Sequence, residues 1–78
     1  MPDLSTVEIQ YCVPCGHLER AVDIQKSILT HFGQKIDGVK LKTGDKGVFK
    51  IRVNDVEIYS KPEPFDLDVV IGSISERV

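Results

Sequence analysis

The stretch "TVEIQYCVPCGHLERAV", residues 6–22, changes its apolar spacing halfway along, and that change decides the fold. Up to Tyr11, apolar and polar residues alternate, which is the period of a half-buried β-strand. After the Cys-Val-Pro-Cys-Gly motif, apolar residues recur at the helical period of 3.6. The sequence therefore predicts a first strand that delivers the chain to Cys12, and then a long helix over residues 15–32 that ends at Gly33.

The apolar residues of this helix predict which of its faces is buried. They fall on one stripe, with mostly charged side chains opposite. The stripe consists of Leu18, Ala21, Val22, Gln25, Ile28, Leu29 and Phe32. We expect it to pack against the strands.

The rest of the chain predicts three more strands and a second helix. The second strand is weakly patterned, and the third, in "GVFKIRV", residues 47–53, alternates well. Asn54 and Asp55 tolerate positive φ and predict a hairpin turn into a fourth strand, "VEIYS". The prolines of "KPEP", residues 61–64, interrupt the pattern, and helical spacing then returns. The apolar positions are Ile36, Val39 and Leu41 in the second strand and Leu67, Val70, Ile71 and Ile74 in the last helix.

The predicted order of elements is strand, helix, strand, strand, strand, helix, and we expect residues 1–78 to form a single domain. Two strands joined through a long helix lie parallel by a right-handed crossover, and a hairpin adds antiparallel strands. The sequence therefore predicts an α/β protein of thioredoxin-like β-α-β-β-β-α layout, with a four-stranded mixed sheet and two helices.

Composition excludes several classes of protein. A formal charge of −2 with both signs interspersed argues against a nucleic-acid surface, which needs a basic patch. The basic residues near the middle of the chain are interpreted as a solvated sheet face. They are Lys40, Lys42, Lys46, Lys50 and Arg52. No window approaches a membrane span, and the beginning of the sequence does not have the pattern of a signal peptide. We therefore expect a cytoplasmic protein whose thiols are kept reduced.

Cys12 and Cys15 are the only cysteines, and their spacing leaves three uses open: redox chemistry, metal binding or a structural staple. A helix N-terminus favours a thiolate, and two intervening residues let one sulfur resolve a mixed disulfide formed on the other. We favour redox chemistry, with both cysteines as catalytic residues and the order of attack open. His17 is interpreted as a solvated helix residue, with tuning of the thiol as the alternative.

A metal site would need further ligands, and the histidines are badly spaced for that role. His17 and His31 are 14 positions apart, about 21 Å along a helix. A zinc site with four Cys and His ligands from one chain is therefore not expected, whereas a dimeric metal site with a C-x-x-C pair from each chain stays open.

The segment "TGDKGVF", residues 43–49, contains two glycines but is followed by a strand, whereas a phosphate-binding loop is followed by a helix. We interpret it as a turn. In the predicted layout this loop can approach the end of the first strand.

The segments "YCVPCG", "VKLKTGDKGVFKIRV" and "VEIYSK" resemble the selenoprotein W-like (Rdx) family of small thioredoxin-fold proteins, from about Val7 to Lys61. In that family the motif is C-x-x-C or C-x-x-selenocysteine, and the selenocysteine matches Cys15. Members commonly carry a Phe-Pro stretch before the last helix, where this chain has "KPEPFD", residues 61–66. The resemblance implies a role in cellular thiol redox, often linked to glutathione.

Residues and resemblance together predict a small thiol–disulfide redox protein, linked to glutathione or thioredoxin, that uses no cofactor. Its expected partners are thiol or disulfide proteins or glutathione, without nucleic acid or membrane, and it is expected to be a monomer or weak dimer. Whether it turns over as a thiol–disulfide oxidoreductase is open. The alternatives are a redox-gated interaction module without turnover and the dimeric metal site.

Overall fold

The computed structural model of the chain describes residues 4–61 and 64–78. Its elements follow the predicted order. They are β1 (Ser5–Cys12), α1 (Leu18–Phe32), a 3₁₀ turn (Gly33–Lys35), β2 (Ile36–Gly44), β3 (Phe49–Val53), β4 (Val56–Ser60) and α2 (Leu67–Ser75). The predicted β-α-β-β-β-α arrangement is confirmed.

The four strands form one mixed sheet in the order β2-β1-β3-β4. Strand β1 pairs parallel with β2 and antiparallel with β3, and β3 pairs antiparallel with β4. Cys12 lies opposite Gly44 of β2, and Tyr11 lies opposite Phe49 of β3. The end of β1 is therefore flanked on both sides, by the end of β2 and the beginning of β3.

One face of the sheet carries the core. Alternate residues of the strands point to that face and pack with residues from both helices. The buried members of this cluster are Val7, Ile9, Tyr11, Ala21, Ile24, Ile28, Phe32, Ile36, Phe49, Ile51, Val53, Tyr59, Val70 and Ile74. Burying each large apolar side chain contributes about 1.5–3 kcal/mol, so this layer supplies most of the driving force for folding.

The opposite face of the sheet is polar. Arg52 lies 2.9 Å from the Glu8 carboxylate and 3.2 Å from the Gln10 side-chain oxygen, so it links β3 to β1. Lys50 lies 3.7 Å from Glu57 on β4. In the predicted basic group, the three lysines at 40, 42 and 46 are exposed and the two cations of β3 are half-buried. This face agrees with the interpretation of the basic residues as a solvated surface.

Helix α1 begins at Leu18, so the prediction that it begins at residue 15 is wrong. The Gly16 amide donates to the Val13 carbonyl at 3.1 Å, which closes a turn, and Gly16 has a φ of 74°. A right-handed helix cannot contain that φ. The first helical bond runs from the Ala21 amide to the His17 carbonyl, 3.0 Å. Both cysteines therefore precede the helix.

The buried face of α1 is rotated relative to the predicted stripe. Ala21, Ile28 and Phe32 are buried as expected, but Ile24, which the stripe omitted, is only 5% exposed. The other apolar residues of the predicted stripe are 40–50% exposed: Leu18, Val22 and Leu29. Gln25 donates to the Val39 carbonyl at 2.8 Å and joins the helix to β2. The helix carries apolar residues on two adjoining faces, and packing on the sheet selects only one.

The predicted hairpin turn and second helix are both present. Asn54 and Asp55 have φ values of 50° and 70°, as a two-residue type I′ turn requires. At the start of α2, the Asp66 carboxylate accepts from the Asp68 amide at 3.0 Å and caps the helix. The predicted proline interruption falls partly on residues 62–63, which lie outside the described residues.

We expect Asn54→Ala to lower the free energy of unfolding by about 1–2 kcal/mol. Alanine adopts positive φ less readily than asparagine, and the substitution removes two hydrogen bonds. Those bonds run from the Thr6 amide to Asn54 Oδ1 and from Asn54 Nδ2 to Ser5 Oγ, both 3.0 Å. Urea denaturation measures the loss. The control, Asp55→Gly, relieves positive φ and is expected to cost nothing; an equal loss in both variants would contradict this account.

Candidate redox site

The two cysteines are joined in a disulfide, with their Cα atoms 5.3 Å apart. Cys12 is the last residue of β1, and Cys15 lies in the turn that leads to α1. The rigid β-strand fixes the first sulfur, and the turn brings the second back to it. The structure therefore brings the two cysteines together, and their role as catalytic residues stays a prediction.

The two cysteines differ sharply in their exposure to solvent. Cys12 is 0% exposed, whereas Cys15 belongs to an exposed run of the turn. An external thiol or disulfide can therefore reach the Cys15 side of the bond directly, while the Cys12 side is covered by protein. The sequence alone does not show which of the two cysteines attacks first.

The β2–β3 turn, residues 45–48, covers the Cys12 sulfur. The Gly47 amide donates to Cys12 Sγ at 3.2 Å. Next to it, the Val13 amide donates to the Gly44 carbonyl at 3.0 Å and fastens the cysteine-containing turn to the end of β2. The expected approach of this loop to the end of β1 is confirmed. The hydrogen bond to sulfur, between residues 35 positions apart, was not predicted from the sequence.

His17 occupies the position before the first helical residue, and its side chain makes no capping hydrogen bond to α1. Its ring lies edge-on to Phe49, with centroids 5.9 Å apart, and the residue is half-buried. The structure therefore places it against an aromatic core residue, which differs from the predicted solvated position.

Arg20 is a site neighbour that sequence reasoning missed. Its guanidinium carbon lies 4.8 Å from the centre of the Phe49 ring and 5.1 Å from that of Phe65. The Phe65 ring also lies edge-on to Tyr59, with centroids 5.3 Å apart. These contacts hold a cation on the first turn of α1, next to the disulfide-bearing turn. These contacts join residues that are distant in the chain, so no local sequence pattern predicts them.

The structure gives no metal centre among the residues it describes. No three His, Cys, Asp or Glu side chains within residues 4–61 and 64–78 are grouped as ligands. His31 lies in the last turn of α1, with its ring 4.7 Å from that of Phe32. A metal shared between two chains stays an untested hypothesis. Of the described helices, none has both the length and the apolar content needed to span a bilayer.

A thioredoxin-like β-α-β-β-β-α fold, with a disulfide between the end of the first strand and the turn before the first helix, defines a small redox protein. The model of the Rdx family matches residues 6–66. The chain belongs to the Rdx family, which confirms the resemblance seen in its motifs.

Two solved structures show the same fold over nearly the whole chain. A protein from Bordetella parapertussis is 27% identical with a TM-score of 0.90, and the match covers 96% of this chain and 99% of that one. A selenoprotein W-related protein from Vibrio cholerae is 23% identical with a TM-score of 0.90, covering 96% and 98%. No curated protein sequence matches the chain.

Proposed function

We propose that this protein exchanges thiols and disulfides by cycling Cys12 and Cys15 between dithiol and disulfide. The observation that carries the proposal is the disulfide with one covered and one open sulfur, Cys12 being 0% exposed and Cys15 exposed. Such a pair gives the two thiols separate tasks, because only the open sulfur meets an outside partner.

The cycle starts with the reduced protein. The Cys15 thiolate attacks one sulfur of a partner disulfide, forms a mixed disulfide and releases the other partner sulfur as a thiolate. The Cys12 thiolate then attacks Cys15 Sγ, which closes the intramolecular disulfide and releases the second partner sulfur. The partner gains the two electrons that the protein loses. A new thiol donor restores the dithiol by the reverse steps.

Glutathione or a thioredoxin-type dithiol is the proposed source of those electrons, and the cytoplasm, where such donors keep thiols reduced, is the proposed compartment. The exposed position of Cys15 supports this choice, because a small thiol and a protein dithiol can both approach it. The proposed chemistry needs no cofactor, since the two sulfurs carry both electrons.

A turnover assay tests the proposal. The protein is supplied with a protein disulfide in excess and with reduced glutathione, or with thioredoxin and its reductase, and disulfide reduction is followed over time. We expect many equivalents reduced per protein molecule. The control lacks both sulfurs, as Cys12→Ala with Cys15→Ser, and is expected to match the uncatalysed rate. Reduction that stops at one equivalent with both donors would contradict catalysis and indicate a redox-gated interaction module.

A further inference from the structure

We propose that the turn formed by residues 45–48 holds the Cys12 sulfur as a thiolate during exchange, and that Gly44 is the positioning residue that lets this turn close. The inference rests on the proposed function and extends it from the two cysteines to the backbone that controls one of them. It assigns a task to the "TGDKGVF" segment, which the sequence indicates only as a turn.

The turn has the geometry to aim a donor. Lys46 and Gly47 have φ values of 57° and 76°, and the Val48 amide donates to the Asp45 carbonyl at 3.1 Å. Two successive residues at positive φ closed by this bond form a type I′ turn. The Gly47 amide, which this turn does not use, points at Cys12 Sγ from 3.2 Å.

Gly44 sets how closely the turn approaches the sulfur. It lies opposite Cys12 in the β1–β2 ladder. A Cβ at Gly44 would lie 2.5 Å from Cγ1 of Val48, a distance that real Cβ atoms do not tolerate. The Gln10 side chain, 3.1 Å away, is flexible and can move aside. A side chain at Gly44 therefore requires Val48 to shift, and because Val48 is branched at Cβ and stiff about χ1, we expect its backbone to move with it.

The hydrogen bond from the Gly47 amide to Cys12 Sγ can stabilise the charge that forms during exchange. When an outside thiolate attacks Cys15 Sγ, a new sulfur–sulfur bond forms there, the Cys12–Cys15 bond breaks, and Cys12 leaves with the electron pair. The resulting charge is generated at a side chain that is 0% exposed, where water cannot solvate it. A hydrogen bond to an ionised acceptor is about twice as strong as one between neutral groups. The Gly47 amide therefore stabilises the leaving thiolate more than the disulfide.

Helix α1 does not supply this donor. Within residues 4–61 and 64–78, the Gly47 amide is the hydrogen-bond partner that the structure gives to either sulfur. The helix starts only at Leu18, and the effect of a helix terminus falls off beyond its first turn. The turn is thus the source of the hydrogen bond that Cys12 Sγ accepts.

The test measures the pKa of Cys12 directly, from thiolate absorbance in the Cys15→Ser background. We expect Gly44→Ala to raise that pKa by about one to two units, the amount that a charge-assisted hydrogen bond supports. In the two-cysteine protein, the same substitution is expected to slow opening of the disulfide by glutathione several-fold, because a more basic thiolate leaves more slowly.

Two matched variants separate this effect from a general change in β2. Gly38→Ala lies on the same strand with nothing within 4 Å of the added Cβ, and is expected to leave both readouts unchanged. Val48→Ala removes the clashing methyl, so Gly44→Ala with Val48→Ala is expected to recover the original pKa. An unchanged pKa in Gly44→Ala, or an equal rise in Gly38→Ala, would overturn the inference.

A measurement on the unaltered turn covers the case in which Gly44→Ala does not fold. In the Cys15→Ser variant, the Gly47 amide proton is expected to move downfield in NMR spectra as pH rises, with the same midpoint as the Cys12 thiolate absorbance. If the chemical shift of the Gly47 amide proton does not change as Cys12 titrates, the proposed hydrogen bond to the thiolate is refuted. These measurements follow Cys12 without any redox partner. The inference about the turn can therefore fail while the turnover assay succeeds, or hold while the turnover assay fails.

Discussion

Cys15→Ser is expected to reduce exchange activity by a factor on the order of 10³ or more, since it removes the nucleophile of a covalent mechanism. The thiolate is the attacking species, and Cys15 supplies the exposed one. The remaining thiol, Cys12, is 0% exposed and cannot reach a partner without movement of the turn that covers it. We therefore expect no mixed disulfide on this variant after incubation with oxidised glutathione.

Cys12→Ala is expected to give the opposite pattern. The exposed Cys15 still attacks, but nothing resolves the product, so a stable mixed disulfide accumulates and turnover is lost. Intact-mass spectrometry detects the adduct, and circular dichroism confirms that each variant is folded. Alanine is used because a serine hydroxyl at a fully buried position risks an unsatisfied polar group. An adduct on Cys12 in the Cys15→Ser protein, with none on Cys15 in the other variant, would reverse the assigned roles.

Phe49→Ala is expected to lower the free energy of unfolding by about 3–5 kcal/mol, the range for truncating a buried aromatic side chain. The residue is 1% exposed and sits on a central strand. Its ring is also in edge contact with Tyr59, with centroids 6.3 Å apart, and it supports His17 and Arg20. A small domain has about 5–15 kcal/mol in total, so this loss leaves a marginal protein.

Guanidinium denaturation measures that loss. The control is Phe49→Leu, which keeps more of the apolar volume than alanine does and is therefore expected to cost less than Phe49→Ala. A second comparison is Val69→Ala, on an exposed part of α2, where the side chain is 63% exposed and little change is expected. A loss in Phe49→Ala no larger than in Phe49→Leu would mean that the buried apolar volume contributes little, which would contradict this account.

The fold followed from the sequence where local pattern and burial agree. Strand β1 alternates cleanly, and Asn54 and Asp55 carry their own conformational signal. The buried face of α1 was less well predicted. Ile24 and Val22 lie at opposite edges of the predicted stripe on the helix and are similarly apolar, so the choice between them depends on where the sheet lies. The helix start was also missed, since Gly16 is compatible with a helix start until its φ is known.

The sequence predicts the two cysteines as the candidate site, and their catalytic role stays a prediction; their difference in exposure was not predicted. Two cysteines at a strand–helix junction favour exchange chemistry, while metal binding and a structural staple stay open from the spacing. The Cys12 sulfur accepts from the Gly47 amide, 35 positions away, and Val48 approaches Gly44 too closely for a Cβ to fit there. Such contacts are tertiary, and a single sequence carries no periodic signal for them.

The disulfide closes only a short loop of chain, which limits how much stability the protein loses when the bond is reduced. The two cysteines are three positions apart, so closing the bond removes little chain entropy from the unfolded state, about 2 kcal/mol in the chain-entropy description. The sheet joins residues far apart in the chain and does not depend on that bond. Reduction is therefore expected to leave the sheet intact, so the proposed cycle needs no refolding between its oxidised and reduced states.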